Sequence, residues 1–386
     1  MDQNLMSMLN GETKSKNLSF NPERLTFARM RRGLKKAELA QRIGVTPRSI
    51  TGYESGEFPP EPERLIQIAS ELRFPALFFY EEEPIEIVEP DSVSFRAMTK
   101  MSATLKNVAL GAGAIALQLN SWIEKRFKLP TPDLPELGRD IDPEAAAESL
   151  RQYWGLGEHP VRNMVHLLEA KGVRVFSLAI DAKEVDAFSM WWNGTPFVFL
   201  NTQKSGEHSR FDAAHELGHL VMHRHGQPHG QEAEKEANAF ASALLMPAKS
   251  VLATRLHFPT LDSLIKAKKY WAVSVAALNY RLHSLQLTSE WINRSLCIQI
   301  AQAGYRTQEP QGIVRETSQV LEKVFSALRA EGLGKNDVAR DLRLTTYEID
   351  ELTYGLLKMG AVPDRDNATR NVTIEKKPRP ALSIVK

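Results

Sequence analysis

The sequence has little of what disulfide-linked, membrane-bound or secreted proteins need. A single cysteine among 386 residues, Cys297, excludes an internal disulfide framework and a metal site built from cysteines. The longest apolar run, residues 108–119, is rich in Gly and Ala and is too short to cross a bilayer. Residues 1–17 contain no apolar stretch of the kind that signal peptides carry. We therefore expect a cytoplasmic protein that makes no contact with a membrane.

The chain also lacks a strong excess of charge of either sign. A formal net charge of +2 gives the chain as a whole no strong attraction to nucleic acid, so any basic surface has to be local. A length of 386 residues exceeds one ordinary hydrophobic core and predicts two or three domains.

The most informative stretch that is present is HELGH at residues 215–219, an HExxH motif between apolar flanks. On a helix, two histidines four residues apart lie on one face, so the imidazoles of His215 and His219 can bind one metal ion. Glu216 is rotated by about a third of a turn and lies beside the open coordination position, where it can take a proton from a bound water. The motif predicts Zn²⁺ with Glu216 as general base, and an ordinary buried helix is the alternative.

The third metal ligand is left open by the spacing. His225 has the position of the last histidine in HExxHxxGxxH proteases, but Met222 stands where those proteases need a helix-breaking glycine. The alternative is a glutamate from the next helical segment, with Glu236 on the favoured face. Glu232 lies one turn earlier and is able to replace it, whereas Glu234 is predicted to point elsewhere.

A family resemblance extends these predictions. HELGHLVMH, followed by EANAFASALLMP at 236–247, resembles the ImmA/IrrE family of bacterial zinc metallopeptidases. The strand-like segments 185–189 and 193–201 and the helical segment 271–285 are also similar to that family. The sequence departs from it at Asp212-Ala213, where relatives often carry a threonine and an apolar residue.

The resemblance implies a zincin-like domain with a small sheet, in which a peptide bond of a protein substrate is hydrolysed. It implies that one Zn²⁺ is held by His215, His219 and Glu236, with Glu216 as the general base. A strand beside an HExxH helix also offers an edge for an extended peptide, and we expect the substrate to pair near residues 197–200.

The N-terminal part has the pattern of a helix-turn-helix. A helical segment over 36–45 contains Gly44 at its end, and Thr46 with Pro47 marks the start of a second helix. The segment resembles Cro/repressor (XRE-like) domains, which implies double-stranded DNA as a partner; a protein-interaction module is the alternative. The residues expected to contact DNA lie on the reading helix and in the basic cluster before it: Thr46, Pro47, Arg48, Ser49, Thr51, Gly52, Arg31, Arg32 and Lys36.

A second copy of this pattern lies near the C-terminus. At an offset of 299, the N-terminal positions Leu39-Ala40, Ile43, Val45, Ile50 and Gly56 align without gaps on Val338-Ala339, Leu342, Leu344, Ile349 and Gly355. Residues 345–351 of this copy carry three acids, which would repel phosphate. We expect this copy to serve packing or dimerisation rather than DNA binding.

We predict an α+β fold, mostly helical, in six segments. They are a disordered tail (1–17), a helix-turn-helix domain (18–82), a linker (83–105), a zinc peptidase domain (106–290), a C-terminal helical domain (291–358) and a second disordered tail (359–386). The predicted function is a DNA-binding regulator with a zinc-dependent endopeptidase that cleaves a regulatory protein, such as a helix-turn-helix repressor, and a homodimer is one expected state. The alternative is a transcription factor whose peptidase-like domain is a ligand or metal sensor, or a protein-interaction module, without turnover.

Overall fold

The computed structural model describes residues 19–83, 85, 93–94, 102–137, 140–178, 187–224 and 230–357. The predicted α+β class is confirmed, because helices dominate and the strands form one small sheet. The two predicted tails, 1–17 and 359–386, and His225 lie outside the described residues.

The N-terminal helices form the predicted helix-turn-helix unit. Its elements are α1 (Pro22–Arg31), α2 (Lys36–Ile43), α3 (Pro47–Ser55), α4 (Pro62–Leu72) and a 3₁₀ helix (Ala76–Tyr80). Thr46 caps α3 by accepting a hydrogen bond from the Ser49 amide at 3.2 Å. Gly44 ends α2 with φ of +68°, a conformation that glycine adopts without strain and that turns the chain into α3.

A helix of small residues, α5 (Ala103–Glu124), joins this unit to the rest of the chain. Gly111 lets α5 approach α1 closely, because a Cβ atom there would lie 2.8 Å from Cδ of Arg31. The Gly and Ala positions of this helix are buried, so the segment packs against protein. Among the residues that the structure describes, no helix is both long and apolar enough to cross a membrane.

A four-stranded sheet lies at the centre, in the order β1-β3-β4-β2. The strands are β1 (Val93–Ser94), β2 (Arg174–Ser177), β3 (Ala187–Trp192) and β4 (Thr195–Leu200). β3 and β4 form a hairpin: they pair antiparallel across Asn193-Gly194, which both adopt positive φ. β2 is parallel to β4, and β1 is antiparallel to β3.

Helices pack around this sheet, and nearly all residues of α8 (Gly206–Met222) are buried. The others in this region are α6 (Pro143–Tyr153), α7 (Met164–Ala170), α9 (Gln231–Leu245), α10 (Ala248–Ala253), α11 (Leu261–Trp271), α12 (Val275–Ser284) and α13 (Glu290–Gln302). Gly218 allows α8 and α9 to approach closely, since a Cβ atom there would lie 2.9 Å from the ring of Phe240. This contact places the HExxH residues directly against α9.

The C-terminal helices return to the N-terminal unit. They are α14 (Gln319–Ala330), α15 (Lys335–Asp341) and α16 (Thr346–Thr353). The second helix-turn-helix-like segment has the backbone of the first: Arg343 has φ of +54° where Gly44 has +68°, and Gly355 has +66° where Gly56 has +74°. The internal repeat predicted from the sequence is therefore present in the fold.

Candidate metal and DNA-binding sites

The two motif histidines face one another on α8. Nε2 of His215 and Nε2 of His219 are 3.1 Å apart, and both side chains are almost completely buried. Both were predicted as metal ligands, and their shared face follows from the four-residue spacing on a helix.

The carboxylate nearest to both histidines belongs to Glu234 on α9. Its oxygens lie 3.4 Å from Nε2 of His215 and 3.3 Å from Nε2 of His219. The ligand atoms of these three residues all lie within 4.8 Å of one another. The prediction that Glu234 points elsewhere is wrong.

Glu236, the predicted third ligand, lies in a different place. Its Oε2 is 2.8 Å from Nε2 of His223, one turn beyond His219 on α8. The reason is the phase of α9: the stripe that faces α8 runs through residues 234, 237, 238 and 241, with a helical spacing of three and four. Ala237 and Ala241 fill the close approach of the two helices, so Glu236 lies at the edge of the stripe.

The three converging groups fit a zinc ion by their chemistry. Two imidazoles and one carboxylate are a ligand set that zinc takes in catalytic sites, with a fourth position left for water. Burial raises the pKa of the Glu234 carboxyl, but hydrogen bonds from His215 and His219 outweigh it and lower the pKa to about 2. Glu234 is therefore ionised at neutral pH, as a metal ligand has to be.

A second layer of polar contacts orients the histidines. Oδ1 of Asn238 lies 3.2 Å from Nδ1 of His215, and Nδ1 of His223 lies 3.0 Å from Nδ1 of His219. If each metal-site histidine donates from Nδ1, its Nε2 presents a lone pair to the metal position. His223 then donates from Nε2 to Glu236, which completes a chain from this carboxylate to His219. His223 also ends α8 as its C-cap residue.

Glu216 is held beside the histidines by the sheet. Oγ of Ser189 on β3 donates a hydrogen bond to Oε2 of Glu216 at 2.7 Å. Both side chains are buried, so the carboxylate has one defined position. The contact fixes the predicted general base against the strand that borders the site.

The prediction that a substrate strand pairs near residues 197–200 is wrong. β4, which contains residues 197–200, is paired with β3 on one side and β2 on the other, so it has no free edge. The strand that contacts Glu216 is β3, through Ser189. There β1 pairs with Ser189 and Met190.

On the helix-turn-helix unit, α3 presents a polar outer surface. Thr46, Pro47, Arg48 and Thr51 are exposed, and Ser49 is half-buried. Arg48 is the second residue of α3, and an exposed guanidinium at this position of a reading helix can reach base edges in the major groove.

Three of the predicted DNA contacts are placed elsewhere. Arg31 is buried and donates to Glu348 on α16 at 3.0 Å, and Arg32 pairs with the same carboxylate at 2.5 Å. Gly52 is buried beneath Phe58, since a Cβ atom there would lie 2.5 Å from that ring. The basic cluster was assigned to phosphate by charge alone, and the sequence does not show that an acid some 300 residues away neutralises part of it.

Lys36 stays partly available. Its side chain is 42% exposed and lies 3.2 Å from Glu54, the carboxylate that Arg29 also contacts. The ammonium is partly exposed and shares the buried Glu54 carboxylate with Arg29, so it is able to approach a phosphate.

Sequence reasoning missed three residues of the metal site: Glu234, Asn238 and Ser189. A signal for the first two was present, because a glutamate and an asparagine four residues apart share one helical face. Such a pair can supply a ligand and the group that orients a neighbouring ligand. No comparable local pattern marks Ser189, which reaches Glu216 only through the packing of β3 on α8.

Comparison with known families agrees with this geometry. Residues 168–283 match the family model of the IrrE N-terminal-like domain, a peptidase family. Residues 27–79 match the family model of the helix-turn-helix. The resemblances drawn from the sequence are thereby confirmed for these two segments, which carry a DNA-binding type of domain and a metallopeptidase-like domain. No curated protein matches the chain.

Proposed function

We propose that this protein is a DNA-binding regulator whose central domain is a zinc-dependent endopeptidase acting on a regulatory protein. The observation that supports it most directly is the convergence of His215, His219 and Glu234 beside the buried carboxylate of Glu216. A purely structural helix has no need of four ionisable groups at one buried point, since burying them without a bound partner is costly.

In this proposal His215, His219 and Glu234 hold the zinc ion. When bound, zinc supplies Lewis-acid chemistry: it polarises the carbonyl of the scissile peptide bond and lowers the pKa of a water to about 7. Asn238 and His223 keep the two imidazoles in the tautomer that presents Nε2.

Glu216 moves the proton. Its carboxylate takes one proton from the attacking water and passes it to the nitrogen of the departing amine as the carbon–nitrogen bond breaks. The hydrogen bond from Ser189 to Oε2 holds this carboxylate in one orientation beside the metal site.

The substrate would be held through its backbone along β3. An extended or locally unfolded segment can pair with this strand and so pass beside Glu216. β1 already occupies the edge at Ser189 and Met190, so a substrate strand has to displace it or extend beyond it. A helix-turn-helix repressor at the operator that α3 recognises is the substrate we favour, because the DNA-binding unit would bring the peptidase to it.

The metal ligands are tested by three variants of one helix. Metal content of the purified full-length protein is measured for Glu234→Ala, Glu236→Ala and Glu232→Ala. We expect Glu234→Ala to lose zinc. Glu236→Ala should lower the affinity for zinc by about 10-fold to 100-fold, as for a group that supports a ligand. Glu232 is 80% exposed, and Glu232→Ala should bind zinc as the wild type does. Loss of zinc in Glu236→Ala with full retention in Glu234→Ala would overturn the ligand set.

Turnover is tested with Glu216→Gln, which should keep zinc and lose cleavage. Candidate repressors are incubated with zinc-loaded wild type and with this variant. Cleavage that persists in Glu216→Gln would come from a contaminating protease. If nothing is cleaved and zinc changes the affinity for DNA, the peptidase proposal is wrong and the central domain is a metal sensor without turnover.

A further inference from the structure

A cavity of about 520 Å³ lies next to the metal site and has no role in the chemistry described above. It shares Asn238 with the metal site, and Asn238 contacts His215. Asp212, also in its wall, precedes His215 and Glu216 by three and four residues on α8, so these side chains share one helical face. A ligand in this cavity would therefore lie next to residues that border the metal site.

The sides of the cavity are largely apolar. Phe211, Tyr280 and Tyr305 line it together with small residues at the start of α12. Tyr280 is 54% exposed, which places it at the mouth. Tyr305 belongs to the connector between α13 and α14, outside the segment that matches the peptidase family. Apolar walls of this kind suit a chain of methylene groups.

The deep part of the cavity is acidic. Glu207, Asp212 and Glu309 line it, and their side chains are only 1%, 3% and 7% exposed. One buried ammonium offsets part of this charge: Nζ of Lys268 lies 2.9 Å from Glu207 and 3.1 Å from Glu309. Glu207 and Glu309 thus share one buried ammonium, and Asp212 adds a third acidic side chain to the wall.

The remaining charged groups around the cavity are at its rim. Lys235 is 71% exposed and Arg306 is exposed, so water screens both. His208 is about half exposed and lies 3.7 Å from Asp212. Of these three groups, His208 is the one that contacts an acid of the deep part.

One carboxylate oxygen in the wall is left for a ligand. Oε2 of Glu207 is buried and has no hydrogen-bond partner among the described residues, although Oε1 accepts from Lys268 and from the Ile313 amide. Burial raises the pKa of the Glu309 carboxyl, and the charge of Glu207 adds to this effect. A cation entering the cavity would give Oε2 of Glu207 a partner and would favour the ionised form of Glu309.

We propose that this cavity is a specificity pocket that receives a lysine or arginine side chain of the substrate next to the scissile bond. The methylene groups would contact Phe211, Tyr280 and Tyr305, and the charged end would reach Asp212 and Glu207. The inference rests on the proposed peptidase function, because it names the residue preference of that site.

Binding without turnover is the first test. Full-length Glu216→Gln protein is titrated with two blocked pentapeptides that differ only in the central residue, lysine or its uncharged isostere norleucine. We expect the lysine peptide to bind roughly tenfold tighter, the effect of a hydrogen bond between charged groups. Adding Asp212→Asn should remove most of this difference. Glu309→Gln provides a second variant if Asp212→Asn does not fold.

The matched control is Asp262→Asn on α11. It removes one negative charge from an aspartate that is 72% exposed and pairs with Lys266 outside the cavity. The preference for lysine should persist in this variant. A preference that falls equally in Asp262→Asn and Asp212→Asn would reflect the overall charge of the protein and overturn the inference.

Cleavage of a diverse peptide mixture by zinc-loaded wild type is the second test. Basic residues should be enriched at one position beside the cleaved bonds, and Asp212→Asn should reduce the enrichment by about tenfold. Equal affinity for the two pentapeptides overturns the pocket even if the mixture is cleaved. Asp212-dependent lysine binding without any cleavage overturns the peptidase and supports the cavity as a site for a basic segment.

Discussion

The two helix-turn-helix copies share a backbone and differ in what their second helices contact. In the N-terminal copy, α3 presents Arg48 and Thr51 to solvent. In the C-terminal copy, the residue equivalent to Arg48 is Tyr347, whose ring lies 5.2 Å from the guanidinium of Arg32. The neighbouring Glu348 is completely buried between Arg31 and Arg32.

This difference shows that one helix pair can serve either recognition or internal packing. Val338 and Ile349 fill the core of the second copy as Leu39 and Ile50 fill the first. The apolar positions therefore specify the motif, whereas the polar positions decide its use. The second copy joins the DNA-binding unit to the rest of the chain through the Arg31–Glu348–Arg32 cluster, so the packing role expected from its acids is realised within the chain.

The largest expected effect comes from breaking this cluster. Glu348→Ala leaves two arginines with buried guanidinium groups and no counter-charge, which should lower the free energy of unfolding by about 3–5 kcal/mol. Asp350→Ala on the same helix is the control, because Asp350 is 59% exposed and its pair with Lys335 should contribute less than about 1 kcal/mol. Urea denaturation of the full chain measures both. Equal losses would mean that the buried cluster does not hold the two copies together.

The attachment of the second copy should depend on pH through Glu169 on α7. Its carboxylate accepts hydrogen bonds from Ser318, Gln319 and Val320 at the start of α14, which leads into the second copy. Burial outweighs these bonds and raises the pKa of Glu169 from 4.5 to about 7. The folded protein thus binds more protons than the unfolded chain between these values, so stability falls as pH rises from about 4.5 to 7.

The expected loss over this range is about 3 kcal/mol. Urea denaturation at pH 5 and pH 7.5 should show it in the wild type and not in Glu169→Gln. Glu148→Gln, at an exposed position on α6, should keep the wild-type dependence. An identical pH dependence in Glu169→Gln and the wild type would contradict the raised pKa.

Arg48 and Tyr347 occupy equivalent positions in the two copies, but only the substitution of Arg48 should affect DNA binding. Arg48→Ala should reduce discrimination between the best and an unrelated sequence by about 1–3 kcal/mol, because a contact to base edges is lost. Tyr347→Ala should leave this discrimination unchanged. Selection from random duplexes, followed by titration at several salt concentrations, measures both. A loss of discrimination in Tyr347→Ala would place DNA on the second copy.

The smallest effect concerns the turn between the two helices of each copy. Gly44→Ala should cost about 1 kcal/mol, since φ is positive and no atom lies within 4 Å of the added Cβ. Arg343→Gly relieves the same strain in the second copy but removes a half-exposed ion pair with Glu81 at 3.2 Å. The gain from relieved backbone strain and the loss of the ion pair should nearly cancel in the free energy of unfolding. Thermal denaturation of the two variants tests this; a large loss in Arg343→Gly would show that the ion pair is the stronger contribution.

Local patterns in the sequence were sufficient for much of the fold and part of the site. The HExxH spacing placed His215, His219 and Glu216 together, because a helix fixes its own side-chain directions. The offset of 299 revealed the second copy, because the apolar spacing of a small helical core is visible in sequence. The cap at Thr46 followed from an equally local rule.

Only the tertiary structure decided which groups meet between elements. Glu234 rather than Glu236 reaches the histidines because the crossing of α9 over α8 sets which stripe faces inward. Ser189 reaches Glu216, and Glu348 reaches Arg31, across long separations in sequence. The sequence by itself determined the chemistry available on each helix and strand, since side-chain spacing is local. Packing determined which of those groups are buried together, because close contact between elements depends on the shape of every surface involved.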